Sequence, residues 1–142
     1  MIVLGPGSLY TSILPNLLVP GIGEEICKAK AKKVYICNLM TQPGETLNFS
    51  ASDHIQALYS HMDCSFIDLI LVNNILVNNE PIPSHLKYRY QEEQARPVVF
   101  DVENLAKLGI EVIAEEIISL DKGLVRHNTE KVAQILYSLI ER

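Results

Sequence analysis

Residues 3–18 read VLGPGSLYTSILPNLL: a short apolar stretch enters Gly5-Pro6-Gly7-Ser8 and leaves it in a segment with helical spacing. Free backbone N–H groups and the positive end of the following helix favour an anionic oxygen at such a loop. Glycine at positions 5 and 7 permits positive φ and a close approach by phosphate. The same residues also make ordinary strand-to-helix turns, so the pattern by itself points only weakly to phosphate. The loop lacks the Gly-Lys-Ser/Thr ending of a Walker A loop. It also misses the dinucleotide G-x-G-x-x-G, because Tyr10 stands at the third glycine.

Working outward, the apolar runs Ile2–Leu4, Val34–Asn38, Ile67–Val72, Val98–Phe100 and Glu111–Ile113 read as short strands. Helical spacing fills the segments between them, and that alternation predicts an α/β fold with a mostly parallel sheet and helices on its faces. Over 51–62, Ile55, Leu58, Tyr59 and Met62 form one stripe, with Ser50 or Ser52 as the N-cap. Leu105 and Leu108 mark a short helix that Gly109 stops. Val132, Ile135, Leu136 and Leu139 mark the last helix, with Asn128 as its N-cap and Glu130 near its positive end. The loop 41–46 with its Pro43-Gly44 turn, and the Asn- and Pro-rich stretch 73–83, each follow a strand. Open α/β sheets place their ligands at that edge. The chain begins inside its first strand, which suggests a piece of a longer protein.

The 142 residues carry a net charge of −5 and are 48% apolar, enough for one core. No basic footprint for nucleic acid is present. No apolar run reaches the roughly 18 residues of a membrane span, and no signal-type segment leads the chain, so a cytoplasmic location is expected. Cys27, Cys37 and Cys64 suit neither a disulfide framework nor a zinc knuckle and read as buried reduced thiols. His54 and His61 are seven apart, which is not the spacing of a helical zinc pair. Asp53 and His54 could act as acid and base, but a helix dipole explains Asp53 equally well.

The runs GPGSLYTSILPNLLVPGI, VYICNLMTQPGET, SASDHI and the closing VRHN together resemble the C-terminal half of the gluconeogenesis factor family, the YvcK-like proteins. That family shares a superfamily with 2-phospho-L-lactate transferase, CofD. The resemblance implies a three-layer α/β/α Rossmann-like fold, with residues 1–142 as the C-terminal portion of a single domain. The absent N-terminal half would carry a Gly-Gly-Gly-Thr-Gly loop. It further implies a cytoplasmic regulatory protein that binds UDP-sugars such as UDP-N-acetylglucosamine and supports cell shape and wall synthesis during gluconeogenic growth. No catalytic residue, metal or cofactor is implied by this reading. Protein partners in wall synthesis and a homo-oligomer stay open. The alternative is a CofD-type transferase that moves a phospholactyl group from a guanine-nucleotide-activated donor with magnesium. The GPGSLYTS loop, in place of the Ser-Asn-Pro type typical of the transferases, favours the binder.

Carried over residue by residue, Gly5, Gly7 and Ser8 match the loop on the phosphate side. Asn38, Thr41 and Gln42 match a polar loop that could bond a ribose or sugar hydroxyl. Tyr90, with Tyr88 as the alternative, and Arg126 match positions that contact the nucleotide-sugar: the ring to stack, the guanidinium to fork onto phosphate. From the residues alone, HLKYRYQ reads as a surface helix with Tyr90 over Leu86, and Arg126 as the partner of Glu130 in an exposed pair. Thr129, in the first turn of the last helix and three residues after Arg126, is a candidate for phosphorylation that would compete with ligand phosphate.

Overall fold

In a computed structural model of the chain, residues 1–62, 64–74, 90, 92–121 and 124–141 are described. Strands β1 (Ile2–Leu4), β2 (Lys33–Ile36), β3 (Leu69–Asn73) and β4 (Glu111–Glu115) form one parallel sheet in the order β1-β2-β3-β4. Its register runs through Val3↔Val34, Tyr35↔Ile70 and Ile70↔Val112. A second, antiparallel pair, β5 (Ile118–Asp121) and β6 (Leu124–His127), follows β4. A π-helical turn over Leu9–Ile13 leads into α1 (Leu14–Leu17) and α2 (Ile22–Lys28). The remaining helices are α3 (Ala51–Ser60), α4 (Val102–Lys107) and α5 (Thr129–Ile140).

Strands β2 and β3 are apolar on both faces because helices cover both. Tyr35, Ile70 and Val72 face Leu9, Leu14, Ile55, Leu58 and Leu105 on one side. Val34, Ile36, Leu69 and Leu71 face the α5 side, where Val132, Ile135, Leu136 and Leu139 pack. The period-2 alternation of the strands thus sorts side chains into two cores, and the layers are α/β/α. Each wholly buried Leu or Ile contributes about 1.5–3 kcal/mol.

Two expectations change. Val98–Phe100 is not a strand of the sheet. Val98 N–H donates to the Leu39 carbonyl at 3.0 Å, and Met40 and Pro97 form an isolated bridge, so the segment lies against the chain leaving β2. Pro97 has no N–H, which limits pairing beyond that bridge. The cysteines are not all free: Cys27 on α2 and Cys64 after α3 form a disulfide, and Cys37 alone is a buried thiol. Burial pushes that thiol up to about 12, helped slightly by Asp101 and opposed by the Asn38 backbone.

Helix α3 starts as its stripe predicts. Ser50 is the N-cap: its hydroxyl accepts from Asp53 N–H while the Asp53 carboxylate accepts from Ser50 N–H at 2.8 Å, a capping box. Asn128 caps α5 by a single bond, its side-chain oxygen accepting from Lys131 N–H at 3.0 Å.

Candidate functional site

All four strands of the parallel sheet end on one edge, and the loops there enclose a cleft of about 790 Å³. Three pieces of chain build it: the glycine loop after β1, the segment 38–45 after β2, and the β5–β6 hairpin with Tyr90. Gly7, Ser8, Asn38, Thr41, Gln42, Tyr90 and Arg126 all line it, as does Thr129. Gly5 stands behind the wall rather than in it. Its φ is +89°, and a Cβ there would lie 2.9 Å from the Ile36 carbonyl oxygen, so glycine is what lets the loop turn this close to β2. The Gly5–Pro6 peptide bond is cis.

Side-chain hydrogen bonds fix the cleft floor. Asn38 Nδ2 donates to Gln42 Oε1 at 3.2 Å, and Gln42 Nε2 donates to Ser8 Oγ at 2.9 Å. Thr41 is buried, its hydroxyl accepting from Arg96 N–H at 3.0 Å, and its own N–H donates to the Arg96 carbonyl at 2.7 Å. It therefore shapes the loop, with its hydroxyl and its backbone N–H both bonded to Arg96. The Tyr90 hydroxyl accepts from Val125 N–H at 3.0 Å, which ties the ring to the hairpin. Tyr88, Leu86 and most of the 73–83 loop lie outside the described residues.

Arg126 is exposed on β6, opposite Ser119, and no ion pair joins it to Glu130 or to another acid among the described residues. An exposed guanidinium without a carboxylate partner can fork two hydrogen bonds onto an oxyanion. The sequence reading passed over His127, beside it. Nε2 of His127 lies 3.1 Å from the Cys37 carbonyl, and burial lowers its pKa, opposed by that hydrogen bond. The bond pins the hairpin to the end of β2. Glu45 and Asp121 also line the cleft, Glu45 accepting from the Thr11 hydroxyl at 3.2 Å. Carboxylates at a rim accept from the hydroxyls of a polyol. The signal for His127 was present in VRHN, but a lone histidine before a helix does not show which carbonyl it will meet.

Asp53 and His54 do not belong to the cleft. Asp53 is spent in the α3 cap, and His54 is wholly buried, with Nδ1 2.8 Å from the Ser50 carbonyl and its ring edge-on to Phe49. No group of three His, Cys, Asp or Glu side chains able to hold a metal occurs among the described residues. No helix among them is long and apolar enough to cross a membrane.

The family model described as 2-phospho-L-lactate transferase CofD matches residues 1–118. The gluconeogenesis factor of Bacillus subtilis strain 168 is 57% identical over 141 residues, covering 99% of this chain and 43% of that protein. The gluconeogenesis factor of Halalkalibacterium halodurans is 47% identical over 136 residues, covering 96% of this chain and 41% of that protein. A crystal structure of a Bacillus halodurans protein matches with a TM-score of 0.85 at 47% identity, over 96% of this chain and 42% of the other. The chain therefore spans about 43% of the length of the Bacillus subtilis relative.

Proposed function

The chain belongs to the CofD family, and on that premise we propose that it forms the nucleotide-sugar side of a gluconeogenesis factor, a regulatory binder of UDP-sugars. The observation that supports this reading is convergence. A glycine loop and a guanidinium with no acid partner among the described residues, 118 residues apart as Ser8 and Arg126, line one cleft at the carboxyl edge of a parallel sheet. Phosphate chemistry suits both. A tyrosine ring held by its own hydroxyl supplies a flat surface for a base or sugar, and Glu45 and Asp121 supply acceptors for sugar hydroxyls. The names of the relatives support the gluconeogenic role. Action in the cytoplasm, on partners of wall synthesis and cell shape, is the extension that the family resemblance carries.

The second reading, a phospholactyl transferase with a guanine-nucleotide-activated donor, is favoured by the description of the family model. The described residues do not provide a metal cluster for the magnesium it would use, so no step through a metal is assigned to them.

Titration with UDP-N-acetylglucosamine, GTP and NAD, followed by melting temperature and calorimetry, separates the readings. Ligand at about 100 times its dissociation constant adds roughly 2.7 kcal/mol of stability. UDP-N-acetylglucosamine should stabilise the protein, and Arg126→Ala should abolish the effect. Stabilisation by GTP alone would transfer the case to the transferase. No stabilisation by any of the three would reduce the loop to a turn.

A further inference from the structure

A line of side-chain hydrogen bonds runs from the core to the glycine loop. The hydroxyl of Tyr35, a side chain with no exposed surface, lies 3.5 Å from Oδ1 of Asn38. Asn38 Nδ2 then donates to Gln42 Oε1, and Gln42 Nε2 donates to Ser8 Oγ. The direction propagates. A phenol can offer its proton, which makes Asn38 Oδ1 the acceptor and turns the Asn38 amide nitrogen toward Gln42 Oε1. Gln42 is left to present its own amide nitrogen to Ser8. The Gln42 backbone is held as well, its N–H donating at 3.0 Å to the hydroxyl of Thr46, which is fully buried.

Ser8 is the end of the line. A serine hydroxyl has one proton to give and lone pairs to receive. With Gln42 donating to it, Ser8 keeps its own proton, and no acceptor for that proton occurs among the described residues. Ser8 lines the cleft. We propose that Asn38 and Gln42 are positioning residues that hold the Ser8 hydroxyl as a hydrogen-bond donor to a phosphate oxygen of the ligand. One N–H of each amide that the family resemblance assigned to a ribose or sugar is engaged within this line, Asn38 on Gln42 and Gln42 on Ser8. The inference rests on the phosphate reading of the same cleft and adds to it how the loop comes to present a hydroxyl donor to a phosphate oxygen.

The test is calorimetry on the full chain with two probes, inorganic pyrophosphate and UDP-N-acetylglucosamine. Ser8→Ala should weaken both by about tenfold, the loss of one charge-assisted hydrogen bond. Gln42→Met should weaken them by a similar factor, and the double variant should lose no more than Ser8→Ala alone, because Gln42 acts through Ser8. Losses that multiply in the double variant would place Gln42 on the ligand itself and overturn the proposal. Should Gln42→Met fail to fold, the isosteric Gln42→Glu carries the test. At neutral pH its carboxylate accepts from Ser8 and takes the proton, so binding falls. As pH drops toward the ordinary carboxyl range, about 4.3, the acid becomes a donor and the deficit relative to wild type closes. A deficit that does not narrow, or wild-type affinity at neutral pH, would overturn the proposal. If pyrophosphate binds with this variant pattern and UDP-N-acetylglucosamine does not bind, the positioning proposal stands and the nucleotide-sugar reading falls. If wild type binds neither, both fall.

Discussion

Two glycines with positive φ show how differently one residue type is used. Gly5 (φ +89°) faces the Ile36 carbonyl at Cβ distance 2.9 Å, whereas Gly109 (φ +73°), past the end of α4, has nothing within 4 Å of an added Cβ. Alanine at 109 meets only the left-handed backbone cost, about 1–2 kcal/mol. Alanine at 5 meets a comparable cost and must also push the loop from β2. Gly5→Ala should therefore lower the chemical-denaturation free energy by more than Gly109→Ala and weaken ligand binding, while Gly109→Ala leaves binding unchanged. Equal destabilisation would mean that the close approach is not felt. The GPGS motif was legible as a turn and as a phosphate candidate. That Gly5 supports the wall and Ser8 faces the cleft was not, since both follow from the position of β2, which begins at Lys33, 28 residues after Gly5.

At the scale of elements, α3 is the instructive case. Its stripe and its cap were readable, because a 3.6-residue period and a capping serine are local. Its second cap was not. The Asp101 carboxylate, 49 residues away, accepts from Ser52 N–H at 3.0 Å and from the Ser52 hydroxyl at 2.5 Å. Burial would raise the Asp101 carboxyl, but these bonds and that from Asn104 outweigh it and leave its pKa lowered. Two residues after Ser52, burial lowers the pKa of His54, against its bond to the Ser50 carbonyl and the Asp53 charge. The two groups act in the same sense as pH falls. The unfolded chain protonates histidine near 6.5, above the folded value, so stability begins to drop below that pH. The carboxylate contribution is present above the unfolded Asp value and is lost at the acid end, as pH falls through the folded one. The urea midpoint should fall between pH 7.5 and 5.5, and His54→Gln should remove part of that slope. An unchanged slope in the variant would assign it to His127 instead. The β5–β6 hairpin escaped the sequence reading because Leu124–His127 is four residues long and ends against the last helix. Its partner is supplied only when Ile118–Asp121 folds back.

Across the whole molecule, the disulfide joins α2 to the chain beyond α3 over a sequence separation of 37. In the chain-entropy account a loop of that size removes about 3–4 kcal/mol of unfolded-state freedom. Adding a reductant should lower the melting temperature of wild type and leave Cys27→Ser unaffected. A melting temperature indifferent to reductant would show that the cross-link contributes nothing to stability. The alternation of strand and helix, the apolar runs and the caps were determined by the sequence itself, since each depends on neighbours within a turn or a strand. So was the family, carried by four short runs of residues. Tertiary structure alone decided that Cys27 meets Cys64, that Val98 lies on Leu39 instead of in the sheet, and that Asn38 reaches Ser8 through Gln42. Each of those contacts joins residues brought together by sheet order. Sheet order is settled by burying both faces of β2 and β3 at once, a sum over the whole chain that no local window contains.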